Sequence, residues 1–162
     1  MSKKELLEQK NVDAWLQSLG EVPPPHRFAR ESKRFCDLVY DVLGTSDARV
    51  VRALFLTLTD EDSGGVLESV YTVLGSVKVD LYFHIYAEIA PSLVANAPKC
   101  AVNCLSYYGH RLSEFEVDTV ARRIQCTVDA STLQKLTNVI SQIGAEEDYP
   151  ISRFFKHFSL KT

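Results

Sequence analysis

Residues 67–75 read Leu-Glu-Ser-Val-Tyr-Thr-Val-Leu-Gly, and this stretch shows how the chain is built. Its apolar residues follow the i, i+3, i+4, i+7 spacing that places side chains on one face of a helix. They are Leu67, Val70, Tyr71 and Leu74. Gly75 follows at once, and glycine can adopt the left-handed conformation that ends a helix. The stretch therefore predicts an amphipathic helix that ends at a glycine.

The same apolar spacing recurs along the chain and predicts eight or nine short amphipathic helices. In five places a glycine directly follows the apolar residues of a predicted helix. These glycines are Gly20, Gly44, Gly75, Gly109 and Gly144. The last four lie 31, 34 and 35 residues apart, with two predicted helices between neighbours. Each interval therefore has the size of a helix hairpin in a repeat protein.

We therefore predict an all-α fold in which the third and fourth, fifth and sixth, and seventh and eighth helices form stacked hairpins. The hairpins share no residue consensus, so the stack is either an irregular α-solenoid or a compact helical bundle. The alternative is an α+β fold with strands near 50–59 and 77–89, where apolar and polar residues alternate. We favour helices, because a helix that is buried on more than one side shows the same alternation.

Polar residues and prolines mark the expected helix ends. The expected caps are one of Thr45, Ser46 and Asp47 for the third helix, Asn96 for the sixth, Ser113 with Glu116 for the seventh, and Asp129 or Ser131 for the eighth. Pro98 is expected in the first turn of the sixth helix, where a missing amide is tolerated. Pro91 is expected to kink or end the fifth helix. Residues 60–65 are acidic, end in two glycines, and predict a solvated turn.

The length of 162 residues fits one domain, which we assign to 1–162. Within it we expect an N-terminal helix at 1–20, a proline-rich connection at 21–25 and a helical core at 26–144. Residues 145–162 are expected to form an acidic loop followed by an aromatic and basic helix.

Composition indicates an ordinary globular protein, with 46% apolar and 24% charged residues. A net charge of −3 argues against a globally basic nucleic-acid binder. The chain has no run of 18 apolar residues and no apolar signal-peptide core at its N-terminus. We therefore expect an intracellular protein, cytoplasmic or nuclear, with no membrane segment and with its four cysteines reduced.

The cysteines and histidines do not form a recognisable catalytic or metal-binding motif. Cys100 and Cys104 lie at i and i+4 on one helix face, and Cys126, His84 or His110 could complete a metal or thiol site. However, there is no CxxC or HxxxH spacing, and no phosphate-binding loop, GxSxG, HExxH or EF-hand motif. We therefore expect the thiols to pack in or near the core and predict no cofactor. A thiol- or metal-dependent enzyme is retained as an alternative.

The most concentrated positive charge lies at the start of the second predicted helix. Arg27, Arg30 and Arg34 share one face of that helix. Cations near a helix N-terminus oppose the helix dipole, and a partner with phosphates or carboxylates would offset that cost. We favour a solvated face balanced by nearby acidic residues, and keep nucleic-acid binding through these arginines as an alternative.

The final segment is aromatic and basic. Phe154, Phe155 and Phe158 are expected on one helix face, and three phenylalanines together need burial. Packing against the eighth helix would close the fold. Docking into a groove of another chain, as amphipathic helices do, is the alternative.

The repeated amphipathic helices, together with the lack of a catalytic motif, predict a non-enzymatic interaction domain. We expect it to bind a partner protein or peptide on a helical surface, or to self-associate. The candidate partner-binding residues are Arg27, Arg30, Arg34, Phe154, Phe155 and Phe158.

Overall fold

The computed structural model describes residues 3–22, 29–61 and 65–144, together with Phe154 and Phe158. Within these residues the chain forms eight α-helices and no β-strand. The helices are α1 (Lys3–Glu21), α2 (Ala29–Tyr40), α3 (Ala48–Leu56), α4 (Val66–Gly75), α5 (Val79–Asn96), α6 (Pro98–Gly109), α7 (Glu114–Thr127) and α8 (Ala130–Gly144). The prediction of an all-α fold is therefore confirmed. The predicted proline-rich connection and most of the predicted last helix lie outside the described residues.

The alternative with strands near 50–59 and 77–89 is wrong, because α3 and α5 occupy most of those ranges. The apolar alternation in the second range has a simple cause. α5 packs against α6, α7 and α8, so side chains around most of its circumference are buried. A helix surrounded in this way no longer shows a single apolar stripe.

The helix ends near residue 96 differ from the prediction in two respects, namely the helix end expected as one outcome at Pro91 and the expected cap Asn96. Pro91 does not end α5, which continues for five more residues to Asn96. Asn96 is not the N-cap of α6, since its side-chain amide donates to the Ser92 carbonyl at 3.0 Å. Ala97 takes the N-cap position instead, and it has no side chain that could accept a hydrogen bond. Pro98 is the first residue of α6, as predicted.

The contacts group the chain into two compact units. Unit 1 extends to Thr57 and resumes from Glu61 to Val77, so it contains α1 to α4. Unit 2 takes Leu58–Asp60 and the chain from Lys78 onward, so it contains α5 to α8. The assignment of one domain to 1–162 stays a prediction.

In unit 1 the four helices form a closed ring of contacts. α1 packs on α2 and α3, and α4 packs on the same two helices. The Trp15 indole N–H on α1 donates to the Leu38 carbonyl on α2 at 2.8 Å. The Arg49 guanidinium on α3 pairs with Asp13 on α1 at 2.7 Å. These two bonds connect α1 to both of its neighbours, α2 and α3.

In unit 2 the helices are arranged around α5. α6, α7 and α8 all pack on α5, and α8 also packs on α6. The fifth and sixth helices therefore pair as predicted, but the seventh and eighth pack mainly on α5 and α6 rather than on each other. Of the two predicted arrangements, each unit corresponds to a compact bundle and not to a stack of hairpins.

The helix-ending glycines are close to where they were predicted, but most do not act through a left-handed backbone. Gly75 is the last residue of α4, and Ser76 caps that helix in the right-handed conformation. Among the described residues only Gly44 (φ 75°) and Gly65 (φ 89°) have a positive φ. Gly44 therefore has the predicted left-handed backbone, but it lies four residues after α2 ends at Tyr40 and not directly after the helix. The left-handed conformation expected for Gly75 is wrong.

Candidate functional site

The predicted basic face is described in part. Arg34 lies on α2 and is exposed. Arg30 also belongs to α2, and Arg27 lies outside the described residues. Nucleic-acid binding through these three arginines stays a prediction.

The C-terminal phenylalanines are described at two positions, while Phe155 lies outside the described residues. The Phe154 ring is completely buried, and its centroid lies 6.3 Å from that of Phe83 on α5. Phe154 also lies against Gly109 at the end of α6, so its ring packs on α5 and α6. The predicted packing against the eighth helix stays a prediction. Phe158 is half-buried, and its ring stacks on Phe154 at 6.3 Å. Phe154 is thus part of the core of unit 2, and partner binding by this segment stays a prediction.

The thiols predicted for the core are divided between core and surface. Cys100 and Cys104 are buried in α6, whereas Cys126 is exposed on α7. The Cys100 thiol donates to the Thr59 carbonyl at 3.2 Å. Burial raises the pKa of the Cys104 thiol, so the thiol stays protonated at neutral pH. Within the described part of the chain, no group of three or more His, Cys, Asp or Glu residues could hold a metal ion.

Two tyrosines hold α5 against α6. The Tyr82 hydroxyl donates to the Cys104 carbonyl at 2.8 Å, and the Tyr86 hydroxyl donates to the Ala101 carbonyl at 3.0 Å. Both side chains are buried, and burial raises the pKa of Tyr86. These tyrosines hold α5 against α6, and the first turn of α5 forms one wall of a surface groove.

An open groove of about 170 Å³ lies between the first turn of α5 and the first half of α7. Its lining, which we name the Phe115 groove, consists of Val79, Asp80, Phe115, Glu116, Thr119, Val120 and Arg123. Two aliphatic side chains and one aromatic ring supply its apolar walls, and charged side chains surround them. All of these residues belong to unit 2.

Phe115 is the most exposed large hydrophobic residue among the described residues, with 79% of its surface accessible. The other three, Tyr40, Leu43 and Leu56, belong to unit 1 and are 48–58% exposed. The predicted apolar stripe of α7 is buried as expected, but Phe115 is not on it. It precedes Val117 by two residues, which is about 200° around the helix. An aromatic residue off the apolar stripe is the sequence signal for this groove, and Phe115 is not among the predicted partner-binding residues.

A capping box holds the first turn of α7, where Phe115 is located. The Glu116 carboxylate accepts from the Ser113 amide at 2.7 Å and from the Ser113 hydroxyl at 2.6 Å. The Glu116 amide in turn donates to the Ser113 hydroxyl oxygen at 3.3 Å. These bonds from Ser113 lower the pKa of Glu116, which is therefore ionised at neutral pH. The predicted capping box is confirmed, and Phe115 lies on the helical turn that it caps.

Arg123 connects the two walls of the groove. Its guanidinium donates to the Asp80 backbone carbonyl at 3.3 Å, and another guanidinium nitrogen lies 3.8 Å from the Asp80 carboxylate. The Asp80 side chain is nevertheless 97% exposed. Its carboxylate therefore remains accessible to a second cation.

Comparison with known proteins gave no match to a protein-family model, to a curated protein or to a solved structure. None of the described helices combines the length and the hydropathy that crossing a membrane requires.

Proposed function

We propose that this chain is a non-enzymatic interaction domain that binds a segment of a partner protein in the Phe115 groove. The observation that supports this function is the exposure of Phe115 beside an open apolar groove. Aromatic residues, including Phe, are enriched in protein interfaces relative to the rest of the protein surface. A partner that covers the Phe115 ring would remove its apolar surface from water, which is favourable.

The construction of the groove suits binding. Both walls are α-helices, and side chains on such elements are positioned more firmly than side chains on loops. Asp80 and Glu116 are exposed, and Arg123 is half-buried and bonded to the Asp80 carbonyl. These charged groups can orient a ligand at the apolar part of the groove.

We also propose that the interaction takes place inside the cell. All four cysteines are free thiols, which is the usual state in a reducing compartment. Self-association and nucleic-acid binding through α2 are the competing functions, and neither has an observation comparable to Phe115 in its favour.

The proposal is tested by quantitative affinity purification of tagged wild-type and variant chains from cells. We expect one or more proteins to be enriched with the wild type and lost with Phe115→Ala. The matched control is Leu43→Ala, which removes a large exposed hydrophobic side chain from unit 1. Equal recovery of every partner with Phe115→Ala and with the wild type would contradict the proposed site.

A further inference from the structure

We propose that the occupant of the Phe115 groove is an amphipathic helix of another protein, with one large apolar anchor and a Lys or Arg within one turn of it. This inference rests on the function proposed above and adds the chemistry of the partner. It follows from the size of the groove, from its charges and from the elements that form its walls.

The size of the groove fits one large side chain. An engineered protein cavity of about 150 Å³ accepts a benzene molecule, and the Phe115 groove has about 170 Å³. Val79, Val120 and the Phe115 ring supply apolar contacts for such a group. A leucine, methionine or phenylalanine side chain has the matching size and polarity.

The charges at the groove favour a basic neighbour for this anchor. The lining contains the carboxylates of Asp80 and Glu116 and one cation, Arg123, so its net charge is −1. Arg123 approaches the Asp80 carboxylate only to 3.8 Å, and that carboxylate is almost fully exposed. A Lys or Arg of a partner can therefore pair with Asp80 without displacing a close ion pair.

The same charges disfavour a second copy of this chain as the occupant. If Phe115 of one copy entered the groove of another, its neighbours Glu114 and Glu116 would enter with it. They would then lie near Asp80 and Glu116 of the receiving copy. Like charges placed together at an interface cost free energy, so a foreign basic helix fits better than self-association.

The walls of the groove indicate a helical ligand. Both walls are helices and neither contributes a β-strand, so the groove offers no sheet edge for strand addition. A groove formed by helical side chains is instead typical of helix-in-groove recognition, in which a few apolar anchors enter at helical spacing.

The first experiment selects binders to the full chain from a displayed library of random helix-forming peptides. We expect the recovered peptides to contain a large apolar residue with Lys or Arg within four positions of it. Three synthetic versions of one recovered peptide, with Lys, Ser or Glu at the basic position, are then compared by fluorescence anisotropy. The Lys version should bind most tightly and the Glu version least, and the difference should shrink as salt is raised.

The second experiment measures the Lys peptide against variants of the chain. Phe115→Ala should weaken binding about tenfold or more, because it removes the aromatic wall. Asp80→Asn should weaken the Lys peptide about two- to fivefold and leave the Ser peptide unchanged, as expected for one exposed ion pair. Leu43→Ala and Asp41→Asn, which make the same kinds of change at exposed residues of unit 1, should have no effect.

The outcomes separate the two proposals. Peptides that need Phe115 but show no preference for Lys over Ser or Glu overturn the inference about charge and leave the proposed function standing. A concentration-dependent dimer that becomes monomeric with Phe115→Ala, seen by sedimentation velocity, assigns the groove to a second copy and also overturns the inference. No enriched peptide, or peptides that bind Phe115→Ala as well as the wild type, overturns the proposed site itself.

Discussion

In the core of unit 2, Phe154 occupies space that is open only because Gly109 has no Cβ atom. A Cβ atom at position 109 would lie 2.8 Å from Phe154 Cε2, which is closer than van der Waals contact permits. The Phe154 ring is fully buried and also lies near Phe83 and Phe158, so it has little room to move. The absence of a side chain at Gly109 is therefore what allows the ring to approach α6.

We predict that Gly109→Ala destabilises the protein by about 1–3 kcal/mol, the usual cost of overfilling a core. The gain from the higher helix propensity of Ala is less than 1 kcal/mol and does not offset this cost. The measurement is urea unfolding followed by circular dichroism, for the single variants Gly109→Ala and Phe154→Ala and for the double variant.

In the Phe154→Ala background the added methyl group no longer meets the ring, so Gly109→Ala should become neutral or stabilising. The double-mutant cycle should then give a coupling of about 0.5–3 kcal/mol between the two positions. Strictly additive effects would show that the ring does not determine the need for glycine at 109.

The start of α6 is capped by a residue far away in sequence. The N-cap residue, Ala97, has no side-chain acceptor, and Pro98 has no amide N–H. The Asp60 carboxylate accepts from the next two amides, those of Lys99 and Cys100, at 2.9 Å each. Asp60 thus caps the N-terminus of α6, as a Ser or Asp directly before the helix does elsewhere. Asp60, which was expected in a solvated turn, has a structural role that local sequence patterns do not reveal.

We predict that Asp60→Ala destabilises the protein by about 1 kcal/mol, the typical value of an N-cap, and lowers the melting temperature by roughly 2–4 °C. Asp60→Asn is the matched control, because its amide oxygen can still accept a hydrogen bond, and it should lose less stability. Thermal unfolding followed by circular dichroism measures both changes. If Ala and Asn at position 60 have equal effects, or none, the cap does not contribute as described.

Three carboxylates at helix N-termini make the stability of both units depend on pH. Asp47 caps α3 in unit 1, and Glu116 and Asp129 cap α7 and α8 in unit 2. Their pKa values are all lowered, chiefly by side-chain hydrogen bonds from Arg49 to Asp47, from Ser113 to Glu116 and from Thr132 to Asp129. Because the folded-state pKa values lie below the ordinary values of 3.8 for Asp and 4.5 for Glu, folding favours the ionised forms.

We therefore predict that stability contributed by these caps is fully present at neutral pH and is lost as the pH falls below about 4.5. Urea-unfolding midpoints measured between pH 7 and pH 2 should be nearly constant at first and then decrease through the acid range. A variant with Asp47→Asn and Asp129→Asn should show a smaller decrease, because two of its three carboxylates at the helix caps no longer titrate. A midpoint that increases towards pH 2 in the wild type would contradict this prediction.

Most of the secondary structure was readable from the sequence, because the signals are local. The caps Asp47, Ser113 with Glu116, and Asp129 were all among the predicted residues, and each acts within three positions of its own helix start. The surroundings of the candidate site residues, in contrast, could not be predicted from local sequence patterns. The burial of Phe154 depends on the tertiary contacts of its ring. The position of Phe115 off the apolar stripe is visible in the sequence, but only the packing of α7 beside α5 places a groove next to it.

The amino-acid sequence by itself determined that this chain forms short amphipathic helices with defined starts, because apolar spacing and capping act over three to seven residues. Only the tertiary structure decided how those helices pack, since the burial of an apolar face does not specify which neighbour covers it. In the tertiary structure α5 lies at the centre of unit 2, and the remote residue Asp60 caps α6. Gly75 is the last helical residue of α4 and has no left-handed backbone. The opening stretch therefore predicted its helix correctly, whereas the exposed Phe115 groove arises from the packing of α7 on α5.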